Sequence, residues 1–233
     1  MSSDPEELSP FVYDPLAADE IRLLVPNDNN GLSWTLATFS LTSRLDFDAL
    51  SYVWGSHTET FPITCNERRL CIQHNLFLAL PYLTRRRKND NFVRQPIWID
   101  AVCINQADEK EKLVQINLMH QIYKRARTVW AWLGLATDQS QMTKVLSLLP
   151  LMVEYNKIIR RMGEAEQLDL PVELCKQDPE VWTALLHLFR NPWLERVWVA
   201  QEVALAKDIV FLCGDIKVDF TVLRDALDSE RIG

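Results

Sequence analysis

Short blocks in which apolar residues alternate with polar ones, or run together, occur at 21–25, 34–41, 48–54, 61–65 and 69–72. Both patterns belong to β-strands, half-buried in the first case and fully buried in the second. The turn-forming stretch Pro26-Asn27-Asp28-Asn29-Asn30-Gly31 separates the first two, and Gly55 ends the third. Asn66-Glu67-Arg68 joins the last two as a hairpin. From residue 75 the period changes. The spacing predicts a helix over 75–87, with Pro81 bending it or standing in its first turn, and a short buried strand at 97–100. The clearest helix covers 108–126, with Leu113, Ile116, Met119, Ile122, Tyr123 and Ala126 on one predicted face and acids in its first turn. A buried strand at 128–133 is closed by Gly134. Helices follow over 138–162, 178–190 and 192–207, the last two opened by Asp178-Pro179 and Asn191-Pro192. The chain then reads as a strand at 209–213, an extended piece at 216–218 and a final short helix capped by Asp219. Strands alternating with helices predict an α/β fold, a mainly parallel sheet flanked by helices, with an added β-hairpin and a helical insertion. Residues 1–20 read as a loosely attached arm, 21–233 as a single domain, and the abrupt 229–233 as the end of a truncated or minimal chain.

Composition narrows the chemistry. Only 6 glycines occur in 233 residues, and no two are placed to build a G-x-G-x-x-G turn or a P-loop. A net charge of −7 leaves no general basic field for a nucleic-acid polymer or an anionic membrane. The one basic run, at 85–88, leads into Asn89-Asp90-Asn91 and reads as a solvated loop. Five scattered cysteines imply reduced thiols and a cytoplasmic setting, and four isolated histidines give no metal-ligand spacing. The N-terminus lacks a signal-peptide core, and the longest apolar run, 129–136, is far too short to span a membrane.

Four stretches carry more specific information. They are Ala-Leu-Ser-Tyr-Val-Trp-Gly-Ser at 49–56, IWIDAVCINQADEKEKLVQINLM at 97–119, IYKRARTVWAWLG at 122–134 and NPWLERVWVAQE at 191–202. In this order they resemble the fungal heterokaryon-incompatibility (HET) domain, over about residues 48–214. The resemblance implies a trigger of regulated cell death in self/non-self recognition, with self-association and an upstream sensor protein as partners. The family is similar, more remotely, to TIR domains, which have a flavodoxin-like α/β fold. Some TIR domains cleave NAD with a helical glutamate in a W-C-x-x-E setting. Trp198 and Glu202 stand at that spacing here, with Val199 in place of the cysteine. Glu202 lies 69 residues beyond Leu133, whereas a TIR glutamate follows its strand closely, so an inserted helical region at about 136–190 separates the two patterns.

In a parallel sheet, ligands sit beyond the carboxyl ends of the strands. Strand 48–54 exits there into Trp54, Gly55 and Ser56, and strand 97–100 exits through Asp100. The resemblance brings Glu202 to the same end. Glu202 and Asp100 are therefore the candidate catalytic residues. Ser51, Tyr52, Trp54, Gly55, Ser56 and Trp198 are the candidate nucleotide-lining residues, with NAD as substrate and no bound cofactor. Trp198 and Leu205 share the helix face of Glu202, and such apolar surroundings raise a carboxyl pKa. A carboxylate so placed can hold ribose hydroxyls and stabilise the oxocarbenium-like state formed as nicotinamide leaves.

Each assignment has an alternative. Glu202 could be a helix residue paired with Arg196 or Lys207. Asp100 could be a turn residue, and Asn105 or Asp108 a helix cap. Tyr52 and Trp54 could be core, as Trp130, Trp132, Trp182 and Trp193 read. Cys103 with His57, His74 or His120 would make a cysteine hydrolase, although free cysteines are usually buried hydrophobes. A signalling module acting by homotypic assembly, without chemistry, is the alternative function.

Overall fold

The computed structural model describes residues 5–28, 30–56, 58–84, 95–136, 138–162, 171–196 and 199–219. Strands β1 (Glu20–Pro26) and β2 (Ser33–Ser40) pair as an antiparallel hairpin. Its turn closes at Gly31, φ +77°, where an added Cβ would lie 2.8 Å from backbone atoms of Leu80 and Pro81. Strand β3 (Asp48–Tyr52) is buried along its whole length. The second hairpin, β4 (Thr60–Cys65) and β5 (Arg68–Gln73), turns through Asn66 and Glu67, both at positive φ (49° and 60°). That geometry matches the right-handed twist of the flanking strands. Helix α1 (His74–Thr84) follows directly, with Pro81 in its interior and not in its first turn.

The alternating half of the chain continues with β6 (Ile97–Trp98), α2 (Asp100–Cys103) and α3 (Glu109–Arg125). Next come β7 (Val129–Trp132), α4 (Gln139–Met162), α5 (Val172–Cys175) and α6 (Pro179–Phe189). A 3-10 turn (Pro192–Glu195), α7 (Val199–Leu205), β8 (Ile209–Cys213) and β9 (Ile216–Asp219) complete the described chain. All nine strands form one sheet, in the order β5-β4-β2-β1-β6-β3-β7-β8-β9. Its middle four, β6-β3-β7-β8, are parallel, while β1 and β9 join antiparallel on either side. In chain order those four run 2-1-3-4, the flavodoxin-type arrangement. The α/β architecture expected from the sequence is thus present, and the 61–72 hairpin lies at the far edge, outside the parallel core.

Right-handed crossovers put α1 on one face of this core and α3 with α7 on the other, and α3 and α7 touch. Side chains sort by the two-residue pleat. Trp132 faces α1, stacking near Tyr82 (5.2 Å between rings) and donating to Asn75 Oδ1 at 3.0 Å. Ser51, Ala131 and Phe211, paired across β3, β7 and β8, share the opposite face. The arm lies along the β5 edge through Pro10 and Arg69, and Tyr13 donates to the Val102 carbonyl at 2.9 Å.

Several expectations need correction. Strand 97–100 stops at Trp98, and Asp100 instead opens α2, because its own carboxylate accepts the Ala101 amide at 2.7 Å. The helix expected over 192–207 is broken: Arg196 is extended (φ −74°, ψ 127°) between the 3-10 turn and α7. Helix α3 is rotated from its predicted facing. Gln115, Ile122 and Tyr123 are buried, while Leu113 and Ile116 are 63% and 38% exposed. Gln115 is held there by donating to the Glu20 carbonyl at 2.8 Å. Asp219 ends β9; the short helix expected after it falls outside the described residues, as do His57, the 85–88 run and Trp198.

Candidate functional site

Ser51 reaches the α3/α7 face near the carboxyl end of β3, and a chain of donors converges on it. Asn191 caps the 3-10 turn by accepting the Trp193 amide at 3.0 Å, which fixes Trp193 over the sheet. The Trp193 indole N–H donates to Ser51 Oγ at 2.7 Å, and its ring meets Phe211 edge-on at 5.1 Å. The Ser51 hydroxyl in turn donates to Glu202 Oε2. From α3, the Tyr123 hydroxyl lies against both the Leu50 carbonyl (3.4 Å) and the Glu202 carboxylate. Glu202 is 2% exposed. Burial pushes its pKa up, opposed by the Ser51 hydrogen bond, the Arg196 charge and the Tyr123 hydroxyl. The Arg196 guanidinium is 3.9 Å from Glu202 Oε1, an ion pair without a close hydrogen bond. Lys207 does not join it and donates to the Arg125 carbonyl at 3.0 Å.

Beside this cluster opens a cavity of about 310 Å³, lined by Trp54, Asp100, Ile104, Gln106, Lys112, Ile116, Met119 and Arg196. It sits beyond the carboxyl ends of β3 and β6, where a parallel sheet places ligands. Trp54 donates its indole N–H to Asp100 Oδ2 at 2.9 Å, so the two sequence candidates form one unit. Burial raises the Asp100 pKa to about 6, against the Trp54 and Ala101 hydrogen bonds and with a small further push from the Glu202 charge. Gln106 Nε2 donates to the Asp100 carbonyl at 3.0 Å, and Asp108, not Asn105, caps α3 by accepting the Lys110 and Glu111 amides. Two carboxylates with raised pKa values thus stand at one end of the sheet, separated by Arg196.

The sequence candidates divide in an informative way. Asp100 and Trp54 line the cavity; Ser51 and Glu202 form the buried cluster behind Arg196. Tyr52 leaves the opposite face of β3 from Ser51, and only its carbonyl joins the site, accepting from Arg196 at 2.6 Å. Its hydroxyl is buried with no partner among the described residues, and burial pushes its pKa well up. Gly55 supplies a turn at φ +78°, and Ser56 is exposed, bonded to Thr58 Oγ1 at 2.7 Å; neither lines the cavity. Trp198 lies outside the described residues; among those described, the Tyr123 hydroxyl lies against Glu202 and Trp193 reaches it through Ser51.

Of the cluster, the Arg196–Glu202 pairing was one of the alternatives read from the sequence and is present; Trp193 and Tyr123 were read only as core positions, and their part in the cluster was missed. Asn191-Pro192-Trp193 was the available signal, because a capped turn aims the next aromatic at a fixed spot. The cysteine-hydrolase alternative fails on geometry. Cys103 is buried, its Sγ accepts the Ile99 amide at 3.2 Å, no histidine pairs with it among the described residues, and burial drives the thiol to about 12. No metal-ligand cluster and no helix long and apolar enough to cross a membrane occurs among the described residues.

The fold and this end-of-sheet cluster define an α/β domain with a carboxylate-lined cleft at the ends of its parallel strands. The family model for heterokaryon incompatibility proteins (HET) matches residues 47–202, and the chain belongs to that family. It is similar to heterokaryon incompatibility protein 6, OR allele, of Neurospora crassa, at 30% identity over an alignment of 242 positions. That alignment covers 88% of this chain but 35% of the relative, so the chain spans about a third of that protein's length. No solved structure matches. The matched segment begins beside Asp48 and ends on Glu202, and so includes every residue of the buried cluster.

Proposed function

We propose that the chain is a cell-death effector domain of fungal self/non-self recognition, and that it acts by cleaving the nicotinamide–ribose bond of NAD. The observation that carries the chemical part is the buried Glu202, accepting from the Ser51 hydroxyl with the Tyr123 hydroxyl against it, beside a cavity lined by Asp100. Loss of nicotinamide leaves positive charge on the ribose, and a preorganised carboxylate stabilises that charge as it develops. Glu202 is the carboxylate assigned to this role, Asp100 orients the ribose or the attacking water, and the Trp54 indole presents a flat apolar wall. The likeness to TIR domains supports the same assignment, through the spacing of Trp198 and Glu202.

The test is direct: purified protein is incubated with NAD and free nicotinamide is followed by chromatography. Release that depends on the protein supports cleavage; none, from folded protein up to high concentration, removes it.

A second reading has its own observation. Leu113 and Val114 on α3 are 63% and 41% exposed, adjacent apolar side chains on a helix that buries Gln115, Ile122 and Tyr123. Their exposure favours signalling by homotypic self-assembly without chemistry. Killing that survives loss of NAD cleavage would select it.

A further inference from the structure

Arg196 stands between two places that each attract its charge. Inward, its NH2 lies 3.9 Å from Glu202 Oε1, beyond hydrogen-bond distance. Outward, the same side chain lines the cavity with Trp54, Asp100, Gln106 and Lys112, whereas Glu202 does not line it. NH1 is anchored on the Tyr52 carbonyl at 2.6 Å, and the remaining guanidinium N–H groups make no hydrogen bond among the described residues. The backbone at Arg196 is extended, its N–H donating to the Trp193 carbonyl at 3.4 Å and its carbonyl accepting the Val199 amide at 3.2 Å. Among the described residues, Arg196 is the side chain that both lines the cavity and pairs with Glu202.

We propose that Arg196 is a latch over Glu202, and that an anionic group entering the cavity draws it off the carboxylate. The two cations on the lining, Lys112 and Arg196, are the groups that would hold a phosphate. Trp54, Ile116 and Met119 offer the apolar surface for a flat ring on the same molecule. A ring-bearing organic phosphate is the ligand class that satisfies both. The guanidinium keeps its Tyr52 anchor, swings its unpaired N–H groups to the anion and leaves Glu202 facing the filled cavity. Arg196 is a positioning residue in this scheme. Its consequence for turnover rests on the cleavage chemistry proposed above; the competition for its charge does not.

That competition gives a signature neither simple phosphate binding nor a purely structural arginine would produce. Glu202 and the anion compete for one side chain, so removing the first must strengthen the second. The experiment is calorimetric titration with ADP, and with adenosine as the uncharged probe, on the wild-type chain and on Glu202→Gln, Arg196→Gln and Lys112→Gln. ADP should bind at least about tenfold more tightly than adenosine, and Glu202→Gln should tighten ADP about fivefold while leaving adenosine unchanged. Arg196→Gln and Lys112→Gln should each weaken ADP about tenfold. Combining Glu202→Gln with Arg196→Gln should abolish the gain, since both act through one contact. If Arg196→Gln does not fold, Arg196→Met, which also removes the charge, replaces it in the cycle. ADP that fails to bind folded protein, an affinity unchanged or lowered in Glu202→Gln, or a gain that persists without Arg196 would each overturn the latch. An intact cycle in a protein that releases no nicotinamide would remove the cleavage reading and leave the latch standing; the reverse result would do the opposite.

Discussion

At Asp100 a carboxylate borders an apolar cavity while accepting only two neutral hydrogen bonds, from Trp54 and Ala101. Its pKa of about 6 lies above its ordinary value of 3.8, so the folded state favours the protonated form. The associated stability is present below the unfolded pKa and is lost as pH rises through about 6. Asn at this position does not titrate. The melting temperature of Asp100→Asn relative to wild type should therefore climb between pH 4 and pH 8, by roughly 5 °C. Thermal denaturation of both proteins at those two pH values measures it, and a difference that stays flat or falls contradicts the buried, weakly compensated carboxyl. Asp100, Trp54, Ser51 and Glu202 were legible as site candidates because each lies at a strand end or carries the resemblance. Arg196 was legible only as an ion-pair partner of Glu202, and Trp193 only as core. Their roles come from a helix break that periodicity does not register, since NPWLERVWVAQE reads as one continuous turn-capped helix.

Elements show the same division. The parallel strands were readable because each is a short apolar run closed by a turn residue, and the shared strand ends followed from that. The facing of α3 was not. Leu113 and Ile116 carry the apolar period, yet the hydrogen bond from Gln115 to the Glu20 carbonyl turns the helix so that both are exposed. A buried amide outweighs the hydrophobic pattern here because leaving that carbonyl unpaired costs about 1–3 kcal/mol. Gly31 couples the β1–β2 turn to α1, with no room for a Cβ against Leu80 and Pro81 and with φ at +77°. Gly31→Ala combines a left-handed backbone, which disfavours any side chain by about 1–2 kcal/mol, with a backbone clash. It should lower stability by at least about 2 kcal/mol. Urea denaturation reads this as a fall in midpoint with an unchanged slope. A midpoint within error of wild type would mean that turn and helix are not packed together.

For the whole molecule, the exposed Leu113 and Val114 on α3, the proposed self-association and the proposed latch over Glu202 together predict a domain that is quiet when alone. Specific nicotinamide release should therefore increase with protein concentration, since an associated state is populated by mass action. Leu113→Lys, which places a charge on this pair away from the cavity, should abolish that increase while leaving dilute activity unchanged. Rates strictly proportional to enzyme in both proteins would show that the pair does not control activity. Self-association is what the family resemblance implies; the surface proposed to carry it was not legible, because Leu113 reads as core in the sequence.

Glu202 is the carboxylate proposed to carry the chemistry, and Glu202→Gln removes its charge alone. Gln keeps the shape and the Ser51 hydrogen bond and removes the charge from a site that disfavours it, so melting should hold or rise at neutral pH. Nicotinamide release and killing in fungal cells should both fall, by about two to four powers of ten for the release rate. A folded Glu202→Gln protein that releases nicotinamide at the wild-type rate, or that cannot touch NAD yet still kills, would show that Glu202 does not carry killing through NAD cleavage.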